Sequence, residues 1–227
     1  MQKLDNTKNT IRKGRNKLVR TVKHAVITCR AITYDLKGKS PNPFRIFHVN
    51  PHSIKYFQTG DPTRSIYTYS GRGAFNKYTP KVLSGDWDLE VTPVEETLVY
   101  RGLHQRFVKG EPWDNNVLHP KNWCDTHPNI GYRYRNCSES DFNRITQSIE
   151  ILYSKMAEEG YLSQMSNGGL FWEELTVNIG RDGTLIRNSS GQHRLIIAKL
   201  LNVPLISVRV LVVHSEWNGN FNGEKGQ

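Results

Sequence analysis

The residues with most to offer chemically fall in two short stretches. In Ser189-Ser190-Gly191-Gln192-His193-Arg194, two hydroxyl residues and a glycine precede an arginine. At the start of a helix, such a run presents unpaired backbone N–H groups and the positive end of the helix dipole. Gly191 lets a ligand approach the backbone closely. Ser189 and Ser190 can cap or donate, and the Arg194 fork suits phosphate or carboxylate. Together these make an anion site, most naturally for phosphate, with His193 able to orient it or to stay structural. A plain capped helix with Arg194 on its surface would use the same residues. The second stretch is Gly85-Asp86-Trp87-Asp88. Asp86 and Asp88 could hold Mg²⁺ together with a nucleotide's phosphates, or one could serve as a base toward an acceptor hydroxyl. The alternative is a turn in which both make local hydrogen bonds and Trp87 packs.

The elements that must position these groups are legible from periodicity. Leu175, Val177 and Ile179 alternate with polar residues, which predicts a half-buried strand. Arg181-Asp182-Gly183 reads as the turn of a hairpin leading to a second strand at Leu185-Ile186. From Gln192 the spacing becomes helical, and Asn202 and Pro204 stop it. Leu205 to Val213 is a β-branched run, consistent with a buried strand. Upstream, Phe44 to Val49 reads as a strand. Helices are predicted over Val94 to Val108 and over Phe142 to Glu159, the latter capped by Ser140 or Asp141 and closed by Gly160. Glu173 and Glu174, just before the hairpin, are candidate acids or bases. The Ser-, Thr-, Tyr- and Gly-rich run from Pro51 to Pro80 predicts irregular structure, with Arg72 at a loop tip. Cys124-x-x-His127, with His119 and Cys137, invites a zinc reading, but its spacing matches no standard finger.

Gly191-Gln192-His193-Arg194, the helix after it and Ile206-Ser-Val-Arg-Val resemble the ParB/sulfiredoxin superfamily. Its members carry a Gly-x-x-Arg box at a helix start, between a β-hairpin and a strand. The resemblance runs from about Ile145 to Trp217, with Phe44-Arg-Ile-Phe-His-Val-Asn-Pro similar to the first strand. Gly85-Asp86-Trp87-Asp88 resembles a box of an uncharacterised ParB-like group. The resemblance implies an α+β fold, a small mixed sheet with packed helices, spanning residues 41–217 with a large insertion at 51–137. It implies a bound nucleoside triphosphate, ATP or CTP, on Ser189, Ser190, Gly191, His193 and Arg194. Mg²⁺ would sit on Asp86 and Asp88, and Asp86, Asp88 and His193 would carry the chemistry. Gln192 stands where sulfiredoxins have a nucleophilic cysteine, which removes sulfinic-acid reduction by that route. Ser190 stands where the related serine kinases have an aspartate, and no helix-turn-helix pattern follows Trp217 in these residues. What remains is an ATP-dependent phosphotransferase or a nucleotide hydrolase. The alternatives are a DNA-binding ParB-like protein using its basic arm, or a ParB-like nuclease.

The charge is unevenly spread. The 227 residues carry a formal +10, and residues 1–40 hold eleven Lys/Arg against Asp5 and Asp35, so the body is close to neutral. A strongly basic nucleic-acid surface is therefore expected only in the arm, at residues 12–39. Leu18, Val22, Ala25, Cys29 and Ile32 recur at helical spacing there and predict one apolar face. Three readings stay open for it: a helix packed on the domain, a nucleic-acid arm, or a membrane-surface helix. No apolar run approaches the roughly 18 residues of a membrane span. No signal peptide is visible and three cysteines suit a reducing compartment, so a cytoplasmic location is expected. Residues 218–227 are expected to be a disordered tail.

Overall fold

The computed structural model describes residues 22, 25–26, 28–33, 36, 41–42, 44–58, 81–122, 134, 137–169, 171–188, 191–219 and 224–225. The chain divides into two units, Met1–Arg45 and Ile46–Gln227.

The larger unit is a mixed α+β domain on an eight-stranded sheet. Its strands are β1 (Phe47–Val49), β2 (Ile54–Gln58), β3 (Lys81–Leu83), β4 (Val91–Pro93), β5 (Leu175–Ile179), β6 (Leu185–Arg187), β7 (Ile206–His214) and β8 (Glu224–Lys225). The spatial order is β4-β2-β6-β5-β7-β1-β8, with β3 beside the far end of β7. β5 and β6 form the expected antiparallel hairpin, with Val177 opposite Arg187 and Ile179 opposite Leu185. β7 then returns parallel to β5. A parallel return needs a crossover connection, and the helix α3 (Gln192–Leu200) supplies it.

Two other helices complete the layer. α1 (Leu98–Phe107) is capped by Thr97, whose Oγ1 accepts from the Tyr100 N–H. α2 (Glu139–Glu159) is capped by Ser138, not by Ser140 or Asp141, and ends at Gly160 with φ +79°. The core lies between the sheet and these helices. Leu175, Val177, Ile179, Leu185, Val208 and Val210 from the sheet meet Leu103, Phe142, Ile149, Leu195 and Ile196 from the helices. A smaller cluster, Trp87, Ile186, Leu211 and Val212, covers part of the sheet's other face.

Four expectations change. β5 is buried on both faces, Thr176 and Asn178 included, because Trp87 and its neighbours cover the second side of this sheet. The run from Pro51 to Pro80, expected to be irregular, holds the strand β2 (Ile54–Gln58). β2 lies between β4 and β6, and α1 contributes Val99 and Leu103. Within the expected tail, Glu224–Lys225 pairs with β1, a contact that needs only backbone groups and so leaves no side-chain signature. In the smaller unit, Ala25, Cys29, Val22 and Ile32 of the predicted apolar face are exposed, whereas Ala31 is buried.

Candidate functional site

α3 begins at Gly191, which has a left-handed φ of +78°. A Cβ there would lie 2.9 Å from the Leu175 Cβ and 3.1 Å from its Cα. Glycine is thus required twice at this junction, by the backbone angle and by the close approach of β5. Having no side chain, it leaves the first-turn N–H groups uncapped from its own position. Ser189 and Ser190 lie outside the described residues.

Arg194, in the first turn, is buried and turned toward β5. It donates to the Glu174 carboxylate at 3.3 Å, to the Glu173 carbonyl at 2.7 Å and to the Tyr161 hydroxyl at 3.5 Å. Glu174 is fully buried and also accepts from the Gln164 N–H through both oxygens, at 2.8 and 2.9 Å. Burial pushes the Glu174 carboxyl above its ordinary range, and the charges of Arg194 and Arg209 with the Gln164 hydrogen bond counter that push. Burial likewise raises the Tyr161 hydroxyl well above its usual value. Arg194 therefore ties α3 to the start of β5, and its fork is engaged without any ligand. His193, half-buried, meets the hydroxyl of the buried Tyr134 at 2.8 Å through Nε2.

Two further cations stand near this junction. Arg187 ends β6, its guanidinium 4.7 Å above the Phe57 ring, and burial alone lowers its pKa to about 9. Arg209 in β7 lies over the Phe171 ring at 4.4 Å. Beyond β6, Asn188 holds the chain to β5. Its N–H donates to the Thr176 carbonyl and its Nδ2 to the Asn178 Oδ1, at 2.8 and 2.9 Å. The Asn178 Nδ2 is buried and has no hydrogen-bond acceptor.

Asp86 and Asp88 lie elsewhere. Arg181, from the β5–β6 turn, donates its Nη2 to Asp86 at 2.7 Å and to the Gly85 carbonyl at 3.0 Å. It grips Asp88 through Nε at 2.9 Å, Nη2 at 2.8 Å and its backbone N–H at 2.9 Å. Burial pushes the Asp88 carboxyl up, but the Arg181 hydrogen bonds outweigh it and hold the pKa below the ordinary value. His214, fully buried, donates Nε2–H to the Gly85 carbonyl at 2.8 Å and accepts from the Glu216 N–H at 3.1 Å through Nδ1. The box is a clasp between the β3–β4 connection and the hairpin turn. A Cβ on Gly180 would be 3.4 Å from Asp88, whereas Gly191 packs on Leu175. Those two points are separated by the length of β5, roughly 15 Å at about 3.3 Å per residue. The fold thus places the aspartate pair and the Gly-x-x-Arg box at opposite ends of the hairpin.

Among the described residues no group of three or more His, Cys, Asp or Glu side chains could hold a metal ion. Cys124 and His127 of the zinc reading fall outside those residues. His119 packs edge-on against Phe142, with its Nδ1 accepting from the Lys121 N–H. No protein-family model, curated protein or solved structure matches the chain.

Sequence reasoning passed over Arg181, which looked like a turn residue, and Arg187, which looked like the end of a strand. A charged residue closing an apolar strand just before a Gly-led helix was the signal available for Arg187. Tyr134 and Tyr161 gave none, because their partners are 59 and 33 positions away in the chain.

Proposed function

We propose that the chain binds a nucleoside triphosphate through the junction between β6 and α3, as an ATP- or CTP-binding protein. The observation that carries this reading is the start of α3 at Gly191, where no side chain caps the first-turn N–H groups. The buried cation Arg187 ends β6, and Asn188, which is tied to Asn178 and Thr176, follows it just before this helix start. The buried carboxylates among the described residues are Glu174, facing Arg194, and Asp88, at the other end of the hairpin. Helix starts of this kind favour anions.

In this reading Gly191 and Arg194 set the helix start and the backbone N–H groups contact the phosphates. His193, hydrogen-bonded to Tyr134, is the group at hand for proton transfer. Phosphoryl transfer or hydrolysis needs chiefly positioning and charge stabilisation. Mg²⁺ would come with the nucleotide, and Asp86 and Asp88 could serve it only after Arg181 released them.

The test is calorimetry of ATP, CTP, GTP and ADP with Mg²⁺ against the wild type, His193→Ala and Arg187→Gln. Binding of a triphosphate that weakens in both variants supports the site. No binding to any of the four would overturn it and leave the box as the tether of α3 to β5.

A further inference from the structure

We propose that the N-terminal unit is a membrane-surface element whose helix seats on an anionic lipid bilayer, with Val22, Val26, Cys29, Ile32 and Leu36 entering the interface. This is independent of the nucleotide site. Val22, Ala25, Val26, residues 28–33 and Leu36 are helical. At about 100° per residue the five named side chains share a sector roughly 120° wide. That sector faces water: Val22 is 55%, Val26 47%, Ile32 50% and Leu36 83% exposed, and Cys29 is exposed too. Burial in this unit is on the opposite side, at Ala31, 4% exposed, whose carbonyl accepts from Asn42 Nδ2 at 2.8 Å. Scattered exposed apolar residues need no explanation, but an apolar stripe along one side of a helix marks an interaction surface.

Charge selects the occupant. Residues 1–40 carry eleven Lys/Arg against two aspartates. Two copies of this arm brought together would repel, so a second copy is a poor partner. Nucleic acid would satisfy the cations and leave the Val, Ile and Leu side chains in water. An anionic bilayer uses both features at once, taking the apolar stripe into the acyl boundary and the cations among its headgroups. No helix among the described residues is long and apolar enough to cross a membrane, so the contact is one of lying on the surface.

The experiment is flotation of the full chain with two kinds of vesicle. One is phosphatidylcholine alone; the other is phosphatidylcholine and phosphatidylserine at about 7:3. Val26→Glu/Leu36→Glu is run beside the wild type. Both substitutions are at exposed positions, and far-UV circular dichroism and a thermal melt check that the domain is intact. The wild type should float with the anionic vesicles, and roughly tenfold less with the neutral ones or in the double variant. High salt should weaken the binding. Failure to float with anionic vesicles overturns the proposal. So does flotation that the double variant leaves unchanged, which would mean adsorption by charge alone. Duplex DNA bound equally by both proteins, with vesicles ignored, would overturn it and assign the arm to nucleic acid.

Discussion

Replacing Arg194 by alanine would expose what holds the start of α3. The guanidinium faces a fully buried carboxylate, Glu174, at 3.3 Å. Removing one member of such a pair leaves the other charge buried, at a cost of about 3–5 kcal/mol. The Gln164 N–H still serves Glu174, which argues for the lower end, about 3 kcal/mol. With a urea slope of about 2 kcal/mol/M, the unfolding midpoint should fall by roughly 1.5 M. The loss should also depend on pH. Burial already raises the Glu174 carboxyl in the folded state, and Arg194 is the strongest influence against that rise. Without Arg194 the folded pKa climbs further above the unfolded one, so the folded state binds the extra proton. The variant's deficit is then greatest above that folded pKa and shrinks as the pH falls through it toward the unfolded value. Glu174→Gln/Arg194→Ala, which removes the stranded charge, should recover much of the loss. A deficit below about 1 kcal/mol, outside the range for a broken buried pair, would refute the reasoning. A deficit independent of pH, or a double variant no better than Arg194→Ala, would do the same. The measurement also conditions the nucleotide experiment, because lost binding in an Arg194 variant could follow from a displaced helix.

The clasp makes separate predictions. Asp88→Asn should lower the melting midpoint by several degrees, because it weakens charge-assisted hydrogen bonds at a buried carboxylate. Asp86→Asn should change it little, since that side chain is exposed. The Asp88 pKa is lowered on folding, so its contribution is complete above the unfolded value and fades as the pH drops through the folded one. Acid melts of the wild type and Asp88→Asn should therefore converge; a constant gap down to the most acid pH would contradict the clasp. Gly191→Ala should cost roughly 1–2 kcal/mol for the left-handed φ, and more for a Cβ placed 2.9 Å from Leu175. A denaturation midpoint unchanged from the wild type would remove the close approach to β5 as the reason for glycine there. Gly102→Ala should also be strongly destabilising, because its Cβ would run into the buried Leu118 side chain; wild-type stability in that variant would contradict the contact.

Much of the framework was legible because it is local. Alternation at Leu175, Val177 and Ile179, the Arg181-Asp182-Gly183 turn and the helical spacing after Gln192 mark the hairpin and α3 within a few residues of their observed bounds. Gly160 closes α2 where its position suggested. These features depend on backbone preference and on which side chains share a face, and both are written along the chain. The partners of charged residues are not. Asp86 and Asp88 look like free carboxylates in sequence, and only folding brings Arg181, more than ninety positions away, onto both. Arg194 looks like a surface fork, and only the approach of β5 turns it onto Glu174. Val22, Ala25, Cys29 and Ile32 of the N-terminal helix read as one apolar face in sequence, but that they are exposed is a tertiary fact. Sequence determined the hairpin, the three helices of the larger unit and β7, and where the chemical groups lie along them, but not β2 within the Pro51–Pro80 run or β8 within the tail. Tertiary structure decided which charges neutralise one another, because pairing depends on distances across the sheet that no local pattern encodes.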